Sequence, residues 1–178
     1  MTIERYIPTT AVEGEQSSLL TSRQIEILKL VTYGLTYKEI AARLLISDQT
    51  VKNHLTQRSE FGSIPKGIFD RLNVQTREQA VLKGLELGYL DLNDIVENSG
   101  LQLNKIVLLT PREIDVIHKL SDPECVGNNK VTAKSLGISP ATLHYHMENI
   151  CKKLEVKNRI QAMVFHLAVK RELGVVNE

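Results

Sequence analysis

Leu20-Thr21-Ser22-Arg23-Gln24-Ile25-Glu26-Ile27 and Leu109-Thr110-Pro111-Arg112-Glu113-Ile114-Asp115-Val116 are two forms of one segment, and each is followed by the same order of turns and apolar stripes. Further on, Ile46-Ser47-Asp48-Gln49-Thr50-Val51-Lys52-Asn53-His54 is answered by Ile138-Ser139-Pro140-Ala141-Thr142-Leu143-His144-Tyr145-His146. An internal repeat has to be recognised before anything else is read, because it sets the unit of folding. The 178 residues therefore divide into two units of roughly 65–75 residues each, near the lower limit for a self-sufficient core.

Both units read as short helices. Thr21 with Gln24, and Thr36 with Glu39, have the spacing of capping boxes, in which side chain and backbone satisfy each other's unpaired N–H groups. After the first, Ile25, Leu28 and Val31 form one apolar face with Ile27 beside them, and Gly34 ends the helix. After the second come Ile40, Ala41 and Leu44. Ser47 is a good N-cap for a third helix carrying Val51 and Leu55 inward. Thr76 and Gln79 start a fourth, with Ala80, Val81, Leu85 and Leu87 as apolar positions. In the second unit Thr110, Pro111 and Glu113 make a strong start. Ile114, Ile117 and Leu120 form its stripe, Gly137 closes a short second helix, and Ser139-Pro140 opens the third. Asn158 and Gln161 open the fourth, with Ala162, Val164, Phe165 and Val169 for burial. Two helices joined by a tight turn, the second preceded by Ser, make a helix-turn-helix.

Net charge is only +1. Residues 20–90 carry ten Lys/Arg against seven Asp/Glu, and residues 109–178 ten against eight, so each unit is mildly basic. That balance suits a modest nucleic-acid footprint and equally suits an ordinary domain. Cys125 and Cys151 stand apart with no ligand spacing, which predicts reduced thiols, no metal and no cofactor. No apolar run reaches about 18 residues and the start has no signal-peptide core, so a cytoplasmic protein without a membrane span is expected. There is no phosphate loop and no nucleophile beside a base, so no enzyme is expected.

The first unit resembles the DNA-binding domain of LuxR-type regulators, also seen at the C-terminus of NarL-like response regulators. The matching residues are Leu20-Thr21-x-Arg23-x-x-x-Ile27-Leu28, Gly34-Leu35-Thr36-x-Lys38-Glu39-Ile40-Ala41, Ile46-Ser47-x-x-Thr50-Val51-Lys52-Asn53-His54-Leu55 and Ile68-Phe69-x-Arg71-Leu72-Asn73-Val74. The second matches at Leu109-Thr110-Pro111-Arg112-Glu113 and Ile150-Cys151-Lys152-Lys153-Leu154, and less well between. The resemblance implies an all-α chain of two tandem four-helix helix-turn-helix domains: residues 19–90 and a divergent 109–178, after a flexible tail at 1–18 and joined by a linker at 91–108. With only 19 residues before Leu20, no receiver or autoinducer-binding domain is expected there. Family members pair through the fourth helix. Here that implies either an intrachain pseudo-dimer, with residues 76–87 packed on 158–169, or a homodimer between chains.

A helix fits the major groove of double-stranded DNA and its outward side chains reach base edges. Gln49, Lys52, Asn53 and Thr56 lie opposite Val51 and Leu55 on the third helix. The family's contacts fall at positions matched by Lys52, Asn53 and Thr56, with Lys38 and Thr50 as phosphate contacts at helix starts. In the second unit Thr142, His144 and Tyr145 take the corresponding places and Glu148 replaces Thr56. Glu148 repels phosphate but can accept from cytosine N4. His144 and His146 are two apart and point to different faces, which argues against a shared metal. His144 and Glu148 are four apart but offer only two ligands.

Two insertions break the parallel. Residues 58–67, with Gly62, Pro65 and Gly67, interrupt the third helix of the first unit. The helix is expected to stop near 57–61 and a short one to resume near Ile68. Arg58 and Lys66 are candidates for added phosphate contacts, Phe61 and Ile64 for a partner surface, and a tolerated surface loop is the plainer reading. A longer loop follows Leu120, through Asp122-Pro123-Glu124 and Gly127-Asn128-Asn129. The leading function is a DNA-binding transcriptional regulator. The other is an interaction protein that uses the same fold to bind RNA polymerase or another regulator.

Overall fold

The polar residues that open each apolar stripe do so as N-caps. Thr21, Thr36 and Thr110 each complete a capping box, accepting from the backbone N–H three residues on while Gln24, Glu39 and Glu113 reach back to the cap. In the computed structural model of the chain, which describes residues 19–57 and 66–174, these caps begin α1 (Ser22–Thr32), α2 (Tyr37–Leu44) and α7 (Pro111–Leu120). The other helices are α3 (Asp48–Thr56), α4 (Ile68–Leu72), α5 (Arg77–Glu86), α6 (Leu92–Ser99), α8 (Asn129–Ser135), α9 (Pro140–Leu154) and α10 (Arg159–Glu172). A 3-10 helix at Leu103–Leu108 precedes α7. No strand occurs among the described residues.

Two apolar clusters form with matching membership. The first gathers Ile27, Leu28 and Val31 of α1, Ile40 of α2, Val51 and Leu55 of α3, Ile68 and Leu72 of α4 and Val81 of α5. The second gathers Val116, Ile117 and Leu120 of α7, Leu143, Met147, Ile150 and Leu154 of α9 and Phe165 of α10. α3 and α4 together thus supply what α9 supplies alone. Leu87 departs from the expected apolar pattern: it caps the C-terminus of α5 and is exposed.

Residues 91–108, expected as a linker, are largely helical and packed. Asp91 caps α6 by accepting from the N–H groups of Asn93 and Asp94. Ile95 is buried in the first cluster, Leu101 touches both clusters, and Leu103 and Ile106 pack on the second. Asp94 receives Lys29 Nζ at 2.6 Å and Tyr33 Oη at 3.3 Å, so α6 is fastened to α1. Asn93, Asp94, Asn98, Ser99 and Gly100 are loop-type residues, and α6 has no long apolar stripe to announce it.

α10 belongs to both clusters. Ile160, Met163 and Val164 enter the first and Ala162, Phe165 and Val169 the second. Polar contacts across the same junction come in swapped pairs. Gln79 Nε2 of α5 donates to the Val126 carbonyl at 3.4 Å, and Gln161 Nε2 of α10 donates to the Tyr33 carbonyl at 2.9 Å. Each glutamine also accepts the N–H four residues before it, from Gln75 and from Lys157. Each carbonyl precedes a glycine at positive φ, Gly127 and Gly34. A Cβ on Gly34 would stand 2.7 Å from Gln161 Cδ, and one on Gly127 would collide with the Thr76 side chain. Gly127→Ala is therefore expected to lower stability by about 2 kcal/mol or more, read as an earlier urea midpoint at unchanged slope, since it adds both a clash and left-handed strain.

His166 is buried on α10 with neither ring nitrogen hydrogen-bonded, edge-on to His118 at 5.5 Å between centroids. Burial, and after it the neighbouring His118 and Lys170, lower its pKa to about 4. The unfolded imidazole takes a proton near pH 6.5 and the folded one only near 4. The neutral ring's contribution is thus present above pH 6.5 and is lost as pH falls through 4, roughly 3 kcal/mol in all. Thermal melts from pH 7 to 4 should show this loss, and His166→Leu should remove that share of the pH dependence.

Candidate nucleic-acid interface

The turn between α2 and α3 is set by local bonds. Leu45 closes α2 in the left-handed region at φ 54°, and Ile46 N donates to the Ala41 carbonyl at 3.0 Å. Ser47 Oγ accepts from Thr50 N at 3.0 Å and the two hydroxyls lie 2.8 Å apart, which starts α3. Arg23 on α1 donates through Nη2 to the Leu44 carbonyl at 2.8 Å and fixes the end of α2. Glu39 accepts from the Thr36 backbone and hydroxyl, and those bonds hold its carboxyl below the usual range.

α3 buries Val51 and Leu55 and exposes Gln49, Lys52, Asn53 and Thr56 on one outer face; Lys38 is exposed and Thr50 half-exposed. Gln49 Nε2 donates to Asn53 Oδ1 at 2.8 Å, which leaves the Asn53 amide N–H groups and the Gln49 carbonyl facing solvent. Thr56 Oγ1 donates to the Lys52 carbonyl at 3.0 Å and keeps its lone pairs outward. His54 is half-buried, and burial, then Arg23, lower its pKa.

The same architecture recurs at α8 and α9. Arg112 Nη2 donates to the Leu136 carbonyl at 2.6 Å, Ile138 N to the Ala133 carbonyl at 3.0 Å, and Thr142 N to Ser139 Oγ at 3.0 Å. On α9, Leu143 and Met147 are buried while Thr142, His144, Tyr145 and Glu148 are exposed. His144 Nε2 lies 3.2 Å from Glu148 Oε1. His144 is exposed and His146 half-buried, so the two imidazoles sit on different faces. Among the described residues no group of three His, Cys, Asp or Glu side chains is placed to hold a metal ion.

The chain leaves α3 at Gln57 and returns at Lys66, so the stop before Ile68 falls where the sequence puts it. Arg58, Phe61 and Ile64 lie outside the described residues. Gly67 N donates to the Gln57 carbonyl at 2.8 Å, pinning both ends of the excursion at one point. The Lys66 carbonyl accepts from Gln24 Nε2 at 2.9 Å and Arg71 Nε at 3.0 Å. In the second group Glu113, at the repeat position of Gln24, is buried and receives Lys153 Nζ directly at 2.6 Å. Burial pushes the Glu113 carboxyl up, but Lys153 and the Thr110 bonds outweigh it and hold it low. Lys66 is thus a structural keystone through its backbone, while its ammonium stands 3.5 Å from Asp70.

Sequence reasoning missed the roles of Arg23 and Arg112. Their recurrence at one repeat position was the available signal, and their carbonyl bonds explain it. It also missed a cleft of about 300 Å3 beside α9, where Lys157 and Arg159 approach His144 and Glu148. Arg159 is bonded to Asn129 Oδ1, and burial lowers its pKa.

Comparison with known proteins agrees with this geometry. The family described as "Bacterial regulatory proteins, luxR family" matches residues 18–60 and 107–166, more than half of the chain. The chain is 36% identical over 80 residues to the spore germination protein GerE of Bacillus subtilis (strain 168), covering 45% of this chain and 95% of GerE. It is 46% identical over 72 residues to the HTH-type transcriptional regulator AlkS of Alcanivorax borkumensis, covering 38% of this chain and 7% of AlkS. It is 35% identical over 71 residues to the nitrate/nitrite response regulator protein NarP of Escherichia coli (strain K12), covering 40% and 32%. The chain therefore spans nearly all of GerE but a third or less of AlkS and NarP. No solved structure matches significantly. The chain belongs to the LuxR family of bacterial regulatory proteins, a family of DNA-binding transcription regulators rather than enzymes. No described helix is long and apolar enough to cross a membrane.

Leu45 supplies a clean test of the turn. It is 92% exposed in the left-handed conformation where α8 ends on Gly137 at φ 64°. Leu45→Gly should stabilise the chain by about 0.5–1 kcal/mol, relief of strain exceeding the entropy glycine adds to the unfolded chain, and Gly137→Leu should cost a similar amount. Chemical denaturation of the two variants checks both signs.

Proposed function

We propose that the chain is a cytoplasmic transcription regulator that carries two tandem LuxR-type helix-turn-helix domains, residues 19–90 and 109–178, and inserts α3 into the major groove of duplex DNA. The observation that carries this reading is the outer face of α3. It presents an ammonium and a paired set of amides, with Val51 and Leu55 buried behind them. Lys52 is suited to guanine or phosphate, and Asn53 to adenine with Gln49 holding its rotamer. Thr56 adds a hydroxyl at the next turn. Lys38 and Thr50, at the starts of α2 and α3, are assigned to phosphate, where helix N-termini add favourable N–H groups. Lys66 and Arg58 are assigned to phosphate flanking that groove. Thr142, His144 and Tyr145 are the corresponding contacts of α9.

The swapped bonds of Gln79 and Gln161 support an intrachain pseudo-dimer. A self-complementary junction pairs i with j and j with i, which is the signature of a two-fold arrangement. The burial of Met163, Val164 and Phe165 within one chain supports this over pairing between chains.

Docking of a protein such as RNA polymerase on α9 is a second reading. It is favoured by Tyr145, 62% exposed, beside the His144–Glu148 pair.

Duplex binding across a salt series tests the first reading. The double variant Lys52→Ala/Asn53→Ala is expected to weaken binding by about 2–4 kcal/mol and to make the salt dependence shallower by close to one phosphate contact. Unchanged affinity and slope would overturn the assignment of α3.

A further inference from the structure

We propose that a single chain reads a complete two-part DNA site whose halves are inverted relative to one another and unlike in sequence. The inference rests on the DNA-binding reading above and goes beyond it in naming the form of the site and the stoichiometry.

Orientation follows from the junction. If the second group of helices were related to the first by translation along the chain, Gln79 would meet the second group's turn while Gln161 met nothing equivalent. Instead Gln79 donates to the carbonyl before Gly127 and Gln161 to the carbonyl before Gly34. Asn158 Nδ2, at the head of α10, also reaches the Gly34 carbonyl at 3.1 Å, and Thr76, at the head of α5, abuts Gly127. These glutamine and cap contacts are matched by their swaps, which is the pattern of a rotation of about half a turn between the groups. α3 precedes α5, and α9 precedes α10, in the same order and with the same turn bonds. The same rotation therefore relates the two reading helices, and they meet the duplex in opposite senses.

The spacing is built in. α10 lies in both apolar clusters and α6 ties α1 to α10, with Lys29 on Asp94 at 2.6 Å. Of the apolar side chains of α10, Ile160, Met163, Val164, Phe165 and Val169 are buried within the chain and Leu167 is partly buried, which leaves that helix little apolar face for a second copy.

Inequality of the halves follows from the outward side chains. α3 offers Lys52 and the Gln49–Asn53 amide pair, a set for guanine and adenine edges. α9 offers Tyr145, whose ring suits a thymine methyl, and Glu148, which accepts from cytosine N4. His144 Nε2 stands 3.2 Å from Glu148 Oε1 beside it.

The test is selection of duplexes from a random pool with the full chain, then footprinting and sedimentation of the complex. One chain per duplex is expected, protecting two unlike segments in inverted orientation about one helical turn, or a multiple of it, apart. Replacing either half by a copy of the other, or adding five base pairs between them, should weaken binding about tenfold or more. Asn53→Ala should relax preference in one half only, and Tyr145→Ala/Glu148→Ala in the other only; all three side chains are exposed, so the fold is retained. Two chains on a perfect palindrome, a direct repeat, or a single protected half untouched by the α9 variants would overturn the proposal while leaving DNA binding intact. No duplex binding by the folded chain would overturn the reading beneath it as well.

Discussion

One helix carries two cores. Nine of the residues of α10 are buried, spread around its circumference, because the helix lies in the first apolar cluster on one side and the second on the other. Neither group of helices is large enough to be comfortable alone, and sharing α10 lets each bury more apolar surface than its own residues provide. What else the chain does at this junction follows from that placement. His166 is stripped of water with no hydrogen bond. The α1–α2 turn and the loop after α7 must pass close enough to need glycines, and α6 becomes a strut on α1 and α10.

Around this junction the corresponding helices of the two groups are built by different means. α9 is continuous for 15 residues. α3 and α4 provide the same inward positions although ten residues of sequence separate Gln57 from Ile68. The insertion is tolerated because its ends meet through Gly67 and Gln57, and because the Lys66 carbonyl takes over as acceptor where the second group has the Glu113 carboxylate. A carboxylate buried beside Lys153 and a backbone carbonyl beside Arg71 and Gln24 solve one problem: a polar group at the foot of the first helix must be satisfied where the later helix crosses it.

Much of the fold was legible in the sequence, and for identifiable reasons. Thr21, Thr36, Ser47, Thr110 and Ser139 announce helix starts because capping is a local interaction. The stripes announce the buried faces through Leu28 and Val31 and through Ile117 and Leu120 because helical period is local too, but Ile114, expected in the second stripe, is exposed and Val116 is buried in its place. The outward direction of Gln49, Lys52, Asn53 and Thr56 followed from the same period. α6 was not legible: eight residues with Ile95 as the sole buried member give no stripe, and its anchor, Asp94 on Lys29, spans 65 positions of sequence. Arg23 and Arg112 were visible as repeated letters, but only their carbonyl partners, Leu44 and Leu136, reveal what they do.

By itself the sequence determined most of the helices, their caps, the repeated order of turns and stripes, and the side chains that face outward from α3. Each depends on residues within about four positions of one another. Tertiary structure decided how the two groups meet. Gln79 finds Val126 and Gln161 finds Tyr33 across 47 and 128 positions, and no periodicity encodes such partners. They are chosen by which apolar faces remain unburied once each group has formed, and α10 is where those faces are spent.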